Sequence, residues 1–376
     1  MTGPATMTRV RILHLVTRSQ RRGAELVAVE LARGLDALGH TNRVRALALG
    51  FDGSEDADIP PLTRRTDDGL IALWLGARAV RRALEREPVD IVMAHGGRAV
   101  EAAVLVRRRG KPRIVWQRIL GFPPSIWRPV RRIRWRWVVR RIDAAVALTP
   151  DLEAELRRLG FTGPVWPIPN FRDPEPFVAV DRAVAGRNLR AELGLGDDVP
   201  VVGLVGHLIE QKRPDRALDA LETMHARGEA AHLVVAGDGP LRPDVEREVA
   251  RRGLDAYVHV LGSRDDIAQL LAAIDVLILT SDSEGMPGVL IEAQMAGCPI
   301  VTVPVGGIRE LVDDGETGVV TEQVDATELA DRVVELLRDP KLRARLGERA
   351  RRRAVRFSSS AAAGTYAERL TEIAGA

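Results

Sequence analysis

The chain has 376 residues, 45% hydrophobic and 28% charged, longer than one hydrophobic core usually serves, so two globular domains are expected and disordered, fibrous and membrane-spanning classes are excluded. A net charge of +3 gives little reason to expect nucleic-acid binding. The single cysteine, Cys298, excludes an internal disulfide and any multi-cysteine metal site and agrees with a reducing compartment.

The opening residues Met1–Thr6 lack the basic and apolar parts of a secretory signal, Met7 is a second candidate start, and no later run approaches the roughly 18 apolar residues of a membrane span. A cytoplasmic location is therefore expected. From there, short Val/Ile/Leu-rich runs alternate with amphipathic stretches, the pattern of parallel sheets covered by helices on both faces. Strands are expected at Val10–Val16, Arg43–Leu49, Ile91–Ala94, Arg113–Trp116, Ala144–Leu148 and Val165–Ile168. Helices are expected at Ala24–Leu38, Ile71–Glu85, Arg98–Arg107, Ile126–Arg141 and Asp151–Leu159.

The stretch Asn170–Asp198 loses the strand rhythm and carries Pro174 and Pro176, so a hinge is placed there, near residues 175–190. Strands then recur at Val201–Val205, His232–Ala236, Val258–Leu261, Val276–Leu279, Ile300–Val303 and Gly318–Val320, with a helix after most of them. The domains expected are 8–180, joined by a C-terminal helix within 358–376, and 186–357.

Directly after the Val276–Leu279 strand comes Ser283-Glu284-Gly285-Met286-Pro287-Gly288-Val289-Leu290-Ile291-Glu292. Strand, loop and helix is where ligands bind in open α/β sheets, and Pro287 and Gly288 suit a turn opening into a helix. The amides from Gly285 to Val289 then favour negative charge. Glu284 in the loop and Glu292 on the helix can reach two groups of one extended ligand. Hydroxyls of a sugar or ribose are natural partners for such carboxylates.

This stretch resembles the E-x7-E signature of retaining glycosyltransferases of the GT-B fold, family 4. Other segments resemble the family in the same order: Arg22-Gly23-Ala24-Glu25, Ala94-His95-Gly96, Ile168-Pro169-Asn170-Phe171-Arg172-Asp173, Gly206-His207-Leu208 with Lys212, and Ala236-Gly237-Asp238-Gly239-Pro240. His207 stands where the family usually has arginine, and Arg22 and Phe171 stand where it has glycine. The resemblance implies two Rossmann-like doubly wound domains facing a central cleft, with the last helix returning to the first domain. It implies transfer of a sugar from a nucleotide-diphosphate donor, UDP preferred over GDP, to a sugar- or lipid-bearing acceptor such as a cell-envelope glycolipid or polysaccharide. Lys212 would neutralise the leaving diphosphate, Glu284 would hold donor-sugar hydroxyls and Glu292 the ribose. Gly206, His207, Gly285, Met286, Pro287, Gly288, Val289, Leu290, Asp238 and Gly239 would line the donor. Gly23 would lie near the phosphates or acceptor, and the side chain or carbonyl of His95 would meet the donor sugar or acceptor. A nucleotide-sugar epimerase of the same architecture and a catalytically inactive binding scaffold remain as alternatives.

Neither G-x4-G-K-[ST], H-E-x-x-H nor G-x-S-x-G occurs, and Asp56-Ala57-Asp58 follows no apolar strand and reads as a solvated loop. No cofactor and no catalytic metal is expected. From Arg107 to Arg141 there are thirteen Lys/Arg, no acidic residue and four of the six tryptophans. On a continuous Ile126–Arg141 helix, Ile126, Val130, Ile133 and Trp137 fall on one face suited to the sheet, and Trp135 falls outward among arginines. An anionic membrane surface is one partner such a helix fits, which would make the protein peripheral at the inner face of the membrane. An anionic acceptor and a simply solvated basic face are the others.

Overall fold

In the computed structural model, which describes residues 9–20, 23–50, 53–67, 69–108, 111–122 and 124–375, the alternation resolves into two parallel sheets of six strands each. Contacts divide the chain into unit 1, Met1–Phe171 with Ser359–Ala376, and unit 2, Arg172–Ser358.

Unit 1 holds β1 (Arg11–Ser19), β2 (Thr41–Leu49), β3 (Ile91–His95), β4 (Arg113–Arg118), β5 (Ala144–Ala147) and β6 (Val165–Trp166), in the order β2-β1-β3-β4-β5-β6. The runs are short, β-branched or small, and buried on both faces, as a helix-covered parallel sheet requires. The C-terminal helix Ser359–Gly375 belongs to this unit and buries Tyr366 and Leu370 against Ile12, Leu31 and Met93. Gly34 makes that packing close, since a Cβ there would sit 2.7 Å from Ala363 Cβ.

Unit 2 holds β7 (Val201–Val205), β8 (His232–Ala236), β9 (Val258–Gly262), β10 (Val276–Leu279), β11 (Ile300–Thr302) and β12 (Val319–Val320), in the order β12-β11-β10-β7-β8-β9. β7 to β9 step outward in one direction and β10 to β12 in the other, so β7 and β10 flank the reversal point of a doubly wound sheet.

Two sequence expectations are corrected. The supposed hinge contains a helix, Arg182–Glu192, whose N-cap Asp181 accepts the amides of Ala183 and Val184. The change of unit falls earlier, at Phe171–Arg172, because the Arg172 amide already donates to the Phe357 carbonyl. An aspartate followed by Ala/Val/Leu at helical spacing was the available signal, masked by the two prolines upstream.

The basic helix is also shorter and turned the other way. Arg128 precedes a proline and takes an extended conformation (φ −60°, ψ 137°), so the helix starts at Pro129 and ends at Val139, and Ile126 lies in a separate 3-10 turn. With Ile126 detached from the aliphatic stripe, the opposite face of the helix packs inward: Trp135 is stacked on Trp116 (5.4 Å, 16°) and edge-on to Phe122 (4.8 Å). Val130 (81% exposed), Ile133 (68%) and Trp137 (39%) face outward. An aromatic cluster beneath the helix outcompetes the narrower aliphatic stripe read from a single 100° wheel. Among the described residues no helix is long and apolar enough to cross a membrane.

Candidate functional site

The reversal point of unit 2 gathers the strongest sequence candidates. The loop after β7 carries Lys212 in a 3-10 turn, and the loop after β10 carries Glu284. Lys212 Nζ donates to Glu284 Oε1 at 2.6 Å, and Ser281 Oγ donates to the same oxygen at 2.6 Å. The carboxylate is 5% exposed and the ammonium 21%, so the pair is shielded from bulk screening. Sequence reasoning assigned these two side chains separate tasks and did not foresee their direct contact, because nothing in the chain reports which loops meet.

The two loops are stitched together along their length. Gln211 Nε2 donates to the Ser283 carbonyl at 2.6 Å, and Thr280 Oγ1 donates to the carbonyls of Lys212 (2.8 Å) and Arg213 (3.0 Å). Arg213 and Arg216 both pair with Asp282, and Arg216 also donates to the Thr280 carbonyl. Arg213 is the one non-glycine with positive φ (49°) among the described residues. A left-handed arginine costs on the order of 1 kcal/mol, and the Asp215 and Asp282 contacts hold it there.

A third loop backs Glu284. Gly306 has φ +53°, and a Cβ on it would lie 1.7 Å from the Glu284 carbonyl oxygen; the next amide, Gly307, donates to the Gly285 carbonyl at 2.9 Å. The sequence reading missed this support, although Gly306-Gly307 after a strand was a visible signal.

Pro287 caps the helix Gly288–Ala296, so Gly288, Val289 and Leu290 form its first turn and Glu292 lies in its second. Met286 and Leu290 are buried and anchor the turn. Glu292 Oε1 accepts from Arg172 Nε at 2.6 Å, and a Cβ on Gly288 would sit 1.7 Å from Arg172 Nη2. The glycine is therefore required by the arginine's passage over the helix start. Arg172 was quoted within a motif and given no role, yet it orients Glu292.

On the other side of β7, Gly206 and Gly239 interlock with neighbouring loops. A Cβ on Gly237 (φ +139°) would lie 1.9 Å from the Gly206 carbonyl oxygen, and one on Gly239 (φ +159°) 2.4 Å from that of Leu208. The His207 ring meets the Asp238 carbonyl through Nδ1 at 2.5 Å, while the Asp238 carboxylate accepts the Gly239 amide at 2.7 Å. His207 is thus braced by the Asp238-Gly239 turn.

In unit 1 the side-chain half of the expectation for His95 is corrected. Its ring is buried at the end of β3, with Nε2 3.1 Å from His14 Nδ1 and Nδ1 against Gln117 Oε1. Gln117 in turn donates to the Tyr366 hydroxyl at 3.1 Å, and His14 Nε2 meets Asn42 Oδ1 at 3.0 Å. Both ring nitrogens of His95 are occupied inside the core, so the ring is not presented to a ligand. A Cβ on Gly23, at the start of helix Gly23–Ala37, would meet nothing within 4 Å, so the fold does not itself demand glycine there. Arg22, quoted with it, lies outside the described residues.

Burial lowers His14 to about 4 and His95 to about 3, with the neighbouring His14 ring adding to the second shift. Depressed histidines stay neutral in the fold while the unfolded chain protonates near pH 6.5, so their stabilisation is full above that pH and is lost as pH falls toward 4. Unfolding free energy is expected to drop from pH 7 to pH 5 by roughly 2 kcal/mol per ring. Urea titrations at the two pH values check this, and His14→Asn is expected to reduce the difference by one ring's share, roughly 2 kcal/mol.

Residues 186–353 match the family Glycosyl transferases group 1, and residues 21–176 match Glycosyltransferase Family 4. The chain is 31% identical over 326 residues to the alpha-D-kanosaminyltransferase of Streptomyces kanamyceticus, covering 80% of this chain and 84% of that one. It is 29% identical to the lipopolysaccharide core biosynthesis glycosyltransferase LpsE of Rhizobium meliloti, covering 77% and 78%. The fold superposes on Anabaena Alr3699/HepE, solved in complex with UDP and glucose, with a TM-score of 0.81 at 21% identity, over 96% of this chain and 100% of that one. This chain belongs to glycosyltransferase family 4. It is an enzyme of the transferase class, with the two α/β units of the GT-B fold.

Proposed function

We propose that the chain moves a glycosyl group from a nucleotide-diphosphate-sugar, UDP preferred over GDP, to a sugar- or lipid-bearing acceptor with retention of configuration. The observation that carries this reading is the shielded Lys212–Glu284 pair at the reversal point of the unit 2 sheet. Lys212 and the first-turn amides of helix Gly288–Ala296 take the diphosphate, where negative charge grows as the bond to the sugar breaks. Glu284 then binds sugar hydroxyls, and Glu292, oriented by Arg172, binds the ribose. The departing phosphate oxygen takes the acceptor proton, so no protein nucleophile and no metal is required. The preference for UDP draws on HepE, which is solved with UDP-glucose as well as with UDP.

Calorimetric titration of UDP, GDP and ADP, with EDTA present, tests the donor reading. UDP is expected to bind selectively and about 10-fold more weakly, 1.4 kcal/mol, to Glu292→Ala. Absence of binding by all three at millimolar concentration would sink the proposal. A new sugar nucleotide formed from donor alone would favour an epimerase.

A second reading concerns unit 1. Val130, Ile133 and Trp137 project from Pro129–Val139 beside Arg131, Arg132 and Arg136, for which no described carboxylate lies within ion-pair distance. This face fits an anionic membrane surface, with the apolar side chains at headgroup depth and guanidinium groups on lipid phosphates. Sedimentation with liposomes containing anionic lipid is expected to carry the protein down at low salt, and Ile133→Asp with Trp137→Ser to leave it in the supernatant. Equal sedimentation of both proteins would remove the assignment.

A further inference from the structure

At the N-terminal end of the unit 2 strands, opposite the end that carries Lys212 and Glu284, a cavity of 370 Å³ is lined by Asp275, which precedes β10. That volume is in the range of small-molecule sites. Three of its lining residues are arginines: Arg182 from helix Arg182–Glu192, and Arg343 and Arg351 from helix Pro340–Ala354. Their charges are not neutralised by carboxylates. Arg182 donates to the carbonyls of Leu271, Ile274 and Ala296, Arg343 to those of Leu336 and Leu337, and Arg351 to that of Ala296.

These contacts cap helix C-termini, which explains why arginines stand here but uses only some of the five N–H donors on each guanidinium. Arg351 Nε is buried without a hydrogen-bond partner. Of the two acidic residues of the lining, Asp275 accepts through Oδ2 from Arg190 at 2.7 Å and from the Val201 amide at 2.8 Å, and the exposed Glu348 pairs with Arg352 at 3.3 Å, so neither pairs with the three arginines. An excess of guanidinium donors around a half-open, half-buried cavity is complementary to an anion. Guanidinium groups approaching from two helices suit the tetrahedral oxygens of a phosphate better than the planar pair of a carboxylate.

We infer that this cavity is a second ligand site, separate from the donor site, which takes a phosphate-bearing small molecule. The probe is inorganic pyrophosphate, titrated calorimetrically into the full chain in the presence of excess UDP. Ala344 lines the cavity, is exposed and caps nothing, so Ala344→Glu places a carboxylate beside the arginines without touching their carbonyl bonds. Pyrophosphate is expected to bind wild type and Ala344→Gln alike and Ala344→Glu at least 10-fold more weakly, with UDP binding unchanged in all three. The Glu and Gln comparison isolates the cavity whether or not UDP binds at the donor site. Equal pyrophosphate affinity in the two variants, no binding to wild type at millimolar concentration, or malonate binding as tightly as pyrophosphate would each overturn the assignment.

Discussion

Lys212→Ala is expected to lower kcat/KM for glycosyl transfer by about 10²- to 10³-fold, the scale seen when one preorganised group facing developing charge is removed. The lysine reaches its position because its loop is tied to the Glu284 loop by Gln211, Thr280, Arg213 and Arg216. Its ammonium is therefore already placed when the diphosphate arrives, and little reorganisation accompanies the reaction. Removing it also strips Glu284 of its ion-pair partner and leaves Ser281 as the side-chain donor to that carboxylate among the described residues, so a stability loss of about 1–3 kcal/mol is expected. Lys212→Arg separates the two effects: it keeps the charge and most of the stability, while its longer planar head recovers only part of the rate. Activity of Lys212→Ala within a few-fold of wild type would show that diphosphate charge is balanced elsewhere.

Gly306→Ala is expected to destabilise unit 2 by about 3 kcal/mol or more and to abolish detectable UDP binding. The added Cβ would fall 1.7 Å from the Glu284 carbonyl oxygen at a residue with φ +53°. Both atoms belong to or hang directly on backbone, so no rotamer change relieves the overlap, and either Glu284 or the Gly306-Gly307 turn must move. Gly23→Ala is the matched comparison, since its Cβ meets nothing within 4 Å and stability should stay at wild-type level. Urea unfolding and calorimetry on both variants provide the check, and wild-type stability in Gly306→Ala would mean that the two loops do not abut.

The contrast between those two glycines shows what the sequence could report. The strand–loop–helix unit around Glu284 was legible because its parts are contiguous: buried β10, the Pro287-Gly288 helix entry and Glu292 in the second helical turn. Lys212 was legible through its place after β7. Partners contributed by distant segments were not, and so Arg172 on Glu292 and Gly306 under Glu284 were missed. The same limit produced the errors. His95 has the right place at the end of a strand, but only the fold shows that His14 and Gln117, 81 and 22 residues away, enclose its ring. Trp135 was assigned outward because Ile126 was counted into the stripe of Val130, Ile133 and Trp137; the extended Arg128 before Pro129 removes Ile126 from it, and only the fold shows Trp116 and Phe122 waiting under the other face.

The stacked pair of Trp116 and Trp135 belongs to a wider asymmetry with an optical consequence. All six tryptophans, Trp74, Trp116, Trp127, Trp135, Trp137 and Trp166, lie in unit 1, and residues 172–358 contain none. Intrinsic emission excited at the red edge of the absorption band is therefore a signal from one half of the molecule alone. The parallel indoles at 5.4 Å are placed for exciton coupling, so near-ultraviolet circular dichroism follows the packing of that same half. Far-ultraviolet ellipticity, by comparison, sums over both sheets, and the two spectra recorded together resolve whether the units melt in one transition or two.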